Sequence, residues 1–124
     1  ARAIVDDSEL FSMVTSGGAK LLGVPELGKL SVGGPADLLL LDRPEASNTV
    51  EALFTARPEH VRLVVVRGQP ALVRPPFEQI KSRLQPVRID GQVTWLTGPI
   101  ASLLQRSRRL LGERLYFGQA IEPL

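Results

Sequence analysis

The sequence predicts an α+β fold, a small mixed or antiparallel β-sheet with three or four flanking helices. Three observations carry this. Two hairpin signatures stand in the middle of the chain, around Arg67-Gly68-Gln69 and Asp90-Gly91. Apolar residues recur at spacings of three and four near both ends, the pattern of an amphipathic helix. Between them, Leu38–Leu41 is an apolar run without alternation. A chain of 124 residues is one domain's worth and can bury a modest core.

The elements follow in order. Ser8–Leu22 reads as one helix: Ser8 can cap it, and Leu10, Phe11, Val14, Gly18, Leu21 and Leu22 share a stripe. Gly17-Gly18 lowers its helix propensity by about 1–2 kcal/mol, which is tolerable where another backbone packs closely. Gly23 stops the helix and Pro25 confirms the break. Gly33-Gly34-Pro35 is a turn. Ala36–Leu41 then reads as a strand buried on both faces, closed by Asp42. Arg43–Asn48 is a polar connection. Val50–Ala56 has no decisive period; a short helix is one reading of it.

His60–Arg67 is a strand rich in β-branched residues. Gly68-Gln69-Pro70 turns the chain into a second strand starting at Ala71–Arg74, and Pro75-Pro76 ends it. Phe77, Ile80 and Leu84 mark one face of a short helix with Pro76 near its first position. Val87–Asp90 and Val93–Leu96 form the second hairpin. After Gly98-Pro99, a helix carries Ile100, Leu103, Leu104, Ser107, Leu110 and Leu111 on one stripe. Arg106, Arg108 and Arg109 lie mostly outside that stripe, and Gly112 ends the helix. Glu113–Leu124 is expected to be irregular.

Hydrophobic residues are 44% and charged residues 23% of the chain, the balance of an ordinary globular protein. There is no cysteine, which removes disulfides, thiolate metal sites and a cysteine nucleophile together. This fits a reducing cytoplasm, the location expected here. No apolar run is long enough to span a bilayer. The net charge of +2 hides an asymmetry: residues 1–56 sum to −4 and residues 57–124 to +6. The arginines of the basic half are spread over several elements and only three cluster. Aromatic residues, at 5%, are too few for base-stacking platforms, so no nucleic-acid partner is expected. The basic stripe at Pro99–Gly112 could lie on an acidic membrane or partner; the commoner reading is a core-facing stripe with solvated arginines, and no membrane partner is expected.

Candidate chemical residues are few. Ser8, Ser12, Ser16, Ser31, Ser47, Ser82, Ser102 and Ser107 lack a neighbouring base or a Gly-x-Ser-x-Gly elbow. Neither Gly-Gly pair is followed by Gly-Lys-Ser/Thr, so neither is a phosphate loop. Asp6 and Asp7 read as charges that favour a helix dipole. His60, the single histidine, reads as a surface residue at a strand start. Asp37, just before the apolar strand, can bond turn amides as Asx residues do. The reading assigns no catalytic, cofactor-binding or metal residue to the chain.

Three segments together resemble the amidohydrolase superfamily, in particular its cytosine deaminase-like, guanine deaminase-like and chlorohydrolase-like members. The first is Met13–Gly23, similar to a helix reading alanine-threonine-x-asparagine-glycine-alanine and then leucine-glycine. Thr15, Gly18, Ala19, Leu22 and Gly23 match; Val14 replaces the alanine and Gly17 the asparagine. The second is Leu27–Asp42. Gly28, Leu30, Gly33, Ala36, Asp37, Leu38–Leu41 and Asp42 match, while Gly34-Pro35 replaces a lysine-containing pair. The third is Val64-Val65-Val66-Arg67-Gly68, similar to a closing valine-x-valine-x-glycine strand and turn. The resemblance is good over about Glu9–Val73 and only suggestive beyond Pro75.

The resemblance implies a parent enzyme with a TIM-like barrel, hydrolysing carbon–nitrogen or related bonds with a divalent metal, zinc or iron. Its ligands there are a His-x-His pair, further histidines and an aspartate, all on the barrel; a ligand Asp would lie further upstream than Asp6 or Asp7. A chain with one His cannot supply that set. The chain is therefore expected to be a C-terminal part, not catalytic alone. Residues 1–26 would be the helix after the last barrel strand. Residues 27–124 would be part of a composite β-rich domain with a C-terminal helix. Its expected partner is the barrel part of the same protein. An exposed sheet edge would remain, through which copies could also associate. A standalone interaction or oligomerisation module without activity is the alternative.

Overall fold

The computed structural model describes residues 5–42, 48–112 and 120–124. Among these residues six strands form one sheet: β1 (Leu38–Leu41), β2 (Val61–Val66), β3 (Gln69–Val73), β4 (Gln85–Ile89), β5 (Gln92–Leu96) and β6 (Ile121–Pro123). Four α-helices accompany them: α1 (Asp7–Val14), α2 (Ser16–Leu21), α3 (Thr49–Thr55) and α4 (Ile100–Leu111). The strand order is β1-β2-β3-β5-β4-β6, and every pairing is antiparallel. This is the α+β class that the sequence predicts.

The two hairpins form where the turn pairs placed them. Arg67 and Gly68 sit at φ of 49° and 75°, and Asp90 and Gly91 at 47° and 80°. Positive φ at both central residues is the I′ geometry that matches strand twist. The first turn is one residue earlier than Gly68-Gln69-Pro70. Pro70 lies inside β3 opposite Val65, at a register shift between Val64 and Val65; a bulge tolerates the missing N–H.

The predicted helix Ser8–Leu22 is two helices, broken at Thr15 (φ −126°, ψ −118°). Ser8 does not cap it. Asp6 does: its carboxylate accepts the Glu9 N–H at 2.8 Å, and Glu9 accepts the Asp6 N–H at 3.1 Å, a reciprocal capping box. The continuous stripe hid the break. A Cβ on Gly18 would run into the Met13 carbonyl, so the backbone that packs closely there is the end of α1. Gly28 fits against the break: at φ +70°, its Cβ would lie 2.5 Å from the Thr15 carbonyl.

Other boundaries moved. Val50–Ala56 resolves as α3, capped by the Asn48 side chain, which accepts the Val50 and Glu51 amides at 3.0 and 2.9 Å. The helix expected over Phe77–Leu84 is only a 3-10 turn, Glu78–Ile80; the apolar spacing there serves packing rather than helix propagation. Residues 121–123 of the tail pair with β4, contrary to the irregular tail expected. The rest of that tail, residues 113–119, and residues 43–47 of the polar connection lie outside the described residues.

The core sits between α4 and the β4–β5–β6 end of the sheet. Val87, Ile89 and Leu104 are buried together, with Leu96, Ile100 and Ile121 packed on them. Val73 and Thr94 are also fully buried. The opposite end is different. The leucine strand predicted to be buried on both faces is an edge strand whose Leu38, Leu39 and Leu40 are exposed. Four consecutive apolar residues offer solvent no polar face, yet three of them are exposed among the described residues.

Candidate functional site

The second and third matched segments meet at β1. β1 pairs with β2 from Leu38 opposite Val65 to Leu41 opposite Val61. Asp37 enters this strand, and its Oδ1 accepts the Arg67 N–H at 2.6 Å. The Ala36 carbonyl accepts the Gly68 N–H at 2.9 Å. Asp37 thus bonds a turn amide thirty residues away, in the hairpin that closes the third matched segment. Ala36-Asp37 and Arg67-Gly68 are joined by two adjacent hydrogen bonds.

The far end of β1 is pinned as well. Asp42 Oδ2 accepts from Arg62 Nε at 2.6 Å and also from Arg62 Nη2. The Arg62 guanidinium holds the Asp42 carboxyl below the usual carboxylate value, against a smaller opposing effect of burial. The same bond raises Arg62. The Asp42 N–H donates to the His60 carbonyl at 2.8 Å. Both acidic ends of the leucine run are therefore tied to β2 or its turn, and they fix register rather than present a reactive group.

Beside β1 lies an open concavity of about 380 Å³, lined by Leu30, Ser31, Val32, Pro35, Ala36 and Leu38 among others. Its wall is apolar and carries no ionisable side chain. Leu21 and Leu22, at the end of α2, are 89% and 77% exposed, and Leu39 is 54% exposed. Monomeric proteins seldom leave so many large apolar side chains bare along one stretch of chain.

The remaining sequence candidates have structural occupations. Asp6 caps α1, and Asp7 stands in its acidic first turn. His60 closes a 3-10 turn, Pro58–His60, with its Nδ1 accepting the Arg57 N–H at 3.0 Å. Arg108 Nη2 donates to the Ile121 carbonyl at 3.2 Å and so joins α4 to β6; Arg106 and Arg109 are exposed. Among the described residues, no group of three His, Cys, Asp or Glu is placed to hold a metal ion, and no helix is long and apolar enough to cross a membrane.

Sequence reasoning missed Arg74. It follows β3 directly and is 3% exposed. Its Nε donates to Thr94 Oγ1 at 2.8 Å, and its Nη1 donates to the Pro58 and Val61 carbonyls at 2.8 and 3.3 Å. Burial lowers its pKa, and the Arg62 charge adds to that; Asp90 and Glu59 oppose it. The usable signal was alternation. Arg74 falls two residues after Leu72, which puts it on that residue's side of the sheet.

Comparison with known proteins bears on the same stretch. A family model described as the amidohydrolase family matches residues 5–72. Over 57 residues the chain is 39% identical to a pterin deaminase of Rhizobium rhizogenes (strain K84 / ATCC BAA-868). That alignment covers 46% of this chain and 12% of the relative, so the match spans a small fraction of that protein's length. No solved structure matches. The matched residues include both caps of the leucine strand, the hairpin turn that Asp37 holds and the α1–α2 break that Gly28 fits. The chain belongs to the amidohydrolase family.

Proposed function

We propose that this chain is the C-terminal part of a metal-dependent hydrolase of carbon–nitrogen or related bonds, and that it frames the catalytic barrel rather than carrying the chemistry. The observation that carries the reading is bare apolar surface within the matched stretch, along β1 and at the end of α2. Its residues lie within the family match, yet Leu39, Leu21 and Leu22 face solvent. The free edge of β1 and the 380 Å³ concavity offer a further strand or helix both backbone partners and apolar contact. The remainder of the same protein is the occupant that the family match favours. The alignment covering 12% of a pterin deaminase supports a longer parent and suggests an aminated heterocycle as its substrate class.

The residues present do not fit the zinc or iron that the family chemistry uses. The chain holds one His and no Cys. The His60 Nδ1 is occupied by a backbone amide. Asp42 is bound to Arg62. The metal would be held by the barrel. A chain without cysteine suits the cytoplasm, which we take as its location.

The test compares the 124-residue chain alone with the product of the same gene extended upstream. Metal content and release of ammonia from pterin, guanine and cytosine are measured in each. The reading expects metal and activity in the longer protein only. A stoichiometric metal with hydrolysis in the short chain would contradict it. A gene that starts at this chain, giving a symmetric dimer through β1, would favour the interaction-module reading instead.

A further inference from the structure

A second pocket, which shares no lining residue with the concavity beside β1, has a different chemistry. It holds about 290 Å³ and is lined by Glu59, Arg74, Ile89, Asp90 and Gln92. Its cation is unusual. Arg74 is almost wholly buried, yet its three acceptors are two carbonyls and a hydroxyl, all neutral. The ion pair found among the described residues is Asp42–Arg62, not one that includes Arg74. Asp90 and Glu59 favour its charge from nearby, but neither bonds it, and a buried guanidinium with donors left over is costly unless something completes it.

The donor count shows what is left over. A guanidinium has five N–H groups. Nε uses its one, and Nη1 uses two on Pro58 and Val61. Nη2 donates to no acceptor among the described residues, and no buried side-chain nitrogen there lacks a partner. Nη2 therefore reaches the accessible space of the pocket that Arg74 lines. Two hydrogen-bond donors on a fixed cation point to an anionic oxygen as their complement.

The rim argues against a simple anion. Glu59 and Asp90 are exposed carboxylates on the same pocket, so the wall holds one positive and two negative charges. A bare anion meets net repulsion, and a bare cation leaves the Arg74 Nη2 donors without an acceptor. Asp90 is fixed in place, with Oδ1 accepting the Ala120 N–H at 2.8 Å. Ile89 is buried and supplies an apolar floor.

We propose that this pocket binds a small zwitterion of the amino-acid type, its carboxylate on Arg74 Nη2 and its ammonium between Glu59 and Asp90. The site shares no residue with the concavity assigned to the rest of the parent, and its test reads ligand binding rather than activity, so it stands or falls separately from that assignment.

The test is a titration of the 124-residue chain with glycine, followed by ¹H–¹⁵N correlation spectra, with acetate and methylammonium as half-ligands. Glycine is expected to shift the Ile89 and Gln92 amides and the Arg74 Nε–H in a saturable way. Each half-ligand should bind at least about tenfold more weakly, because it forfeits one charge-assisted contact. Arg74 also supports the fold, so the informative variant is the exposed Glu59→Gln. It should weaken glycine binding severalfold and leave acetate binding equal or stronger. Acetate binding as tightly as glycine, an indifferent Glu59→Gln, or no saturable shift would each overturn the proposal. A spectrum without the β4–β5 hairpin pattern would remove the pocket itself and overturn it too.

Discussion

Single side chains hold the matched segments together, and two of them give direct predictions. Asp37 accepts the Arg67 amide across thirty residues. Asp37→Ala should cost about 0.5–1.5 kcal/mol and speed hydrogen exchange at the Arg67 amide, while Asp37→Asn should retain most of the protection. Asp42 titrates below the usual carboxylate value because of Arg62. A carboxylate whose folded value is lowered contributes stability above its unfolded value and loses it as pH falls through the folded one. The stability difference between wild type and Asp42→Asn should therefore be constant near neutrality and shrink on acidification below the ordinary carboxylate range. Asp42 is 46% exposed, so solvent limits the difference to about 0.2–1 kcal/mol. Urea melts of both proteins across pH check the sign. Asp37 was legible in the sequence as a turn-binding residue, because an aspartate beside an apolar strand has little else to bond. Its partner was not, since thirty residues of chain separate the two. The side of the sheet that Arg74 takes was legible from alternation, but its partners were not. Only the packed sheet shows that its guanidinium points inward to Thr94 and two carbonyls.

At the scale of elements, what was legible depended on how local the cause was. The turns at Arg67-Gly68 and Asp90-Gly91 are set by positive φ, which is a property of those residues. The break at Thr15 was hidden because apolar spacing continues through it. It is legible only once Gly28 is seen against the Thr15 carbonyl. Gly28→Ala combines a left-handed backbone with that close contact, and should destabilise the α1–α2 corner by more than about 1–2 kcal/mol. Circular dichroism and thermal melts should show the loss, whereas Gly33→Ala, with open space around its Cβ, should lose only the backbone part. β6 had no sequence signal because three residues cannot establish a period. It exists through pairing with β4 and through Arg108. Leu104 closes the core between α4 and β4. Leu104→Ala should cost about 2–5 kcal/mol, seen as a lower denaturant midpoint with an unchanged slope.

Over the whole molecule, burial is uneven. One end has a packed core under α4, and the other presents leucines that the sequence reads as interior. The apolar run was read correctly as a strand. Its burial was not, because hydrophobicity records where a residue is stable and not which chain segment covers it. The family match over residues 5–72 and the short alignment to a much longer relative give that surface its most economical explanation, a frame for the remainder of the enzyme. The most direct measurement is hydrogen exchange at the Leu38–Leu41 amides, in the 124-residue chain and in the upstream-extended protein. The account predicts that amides on the side of β1 away from β2 exchange readily in the short chain and become strongly protected in the longer one. Equal exchange in both proteins would contradict it.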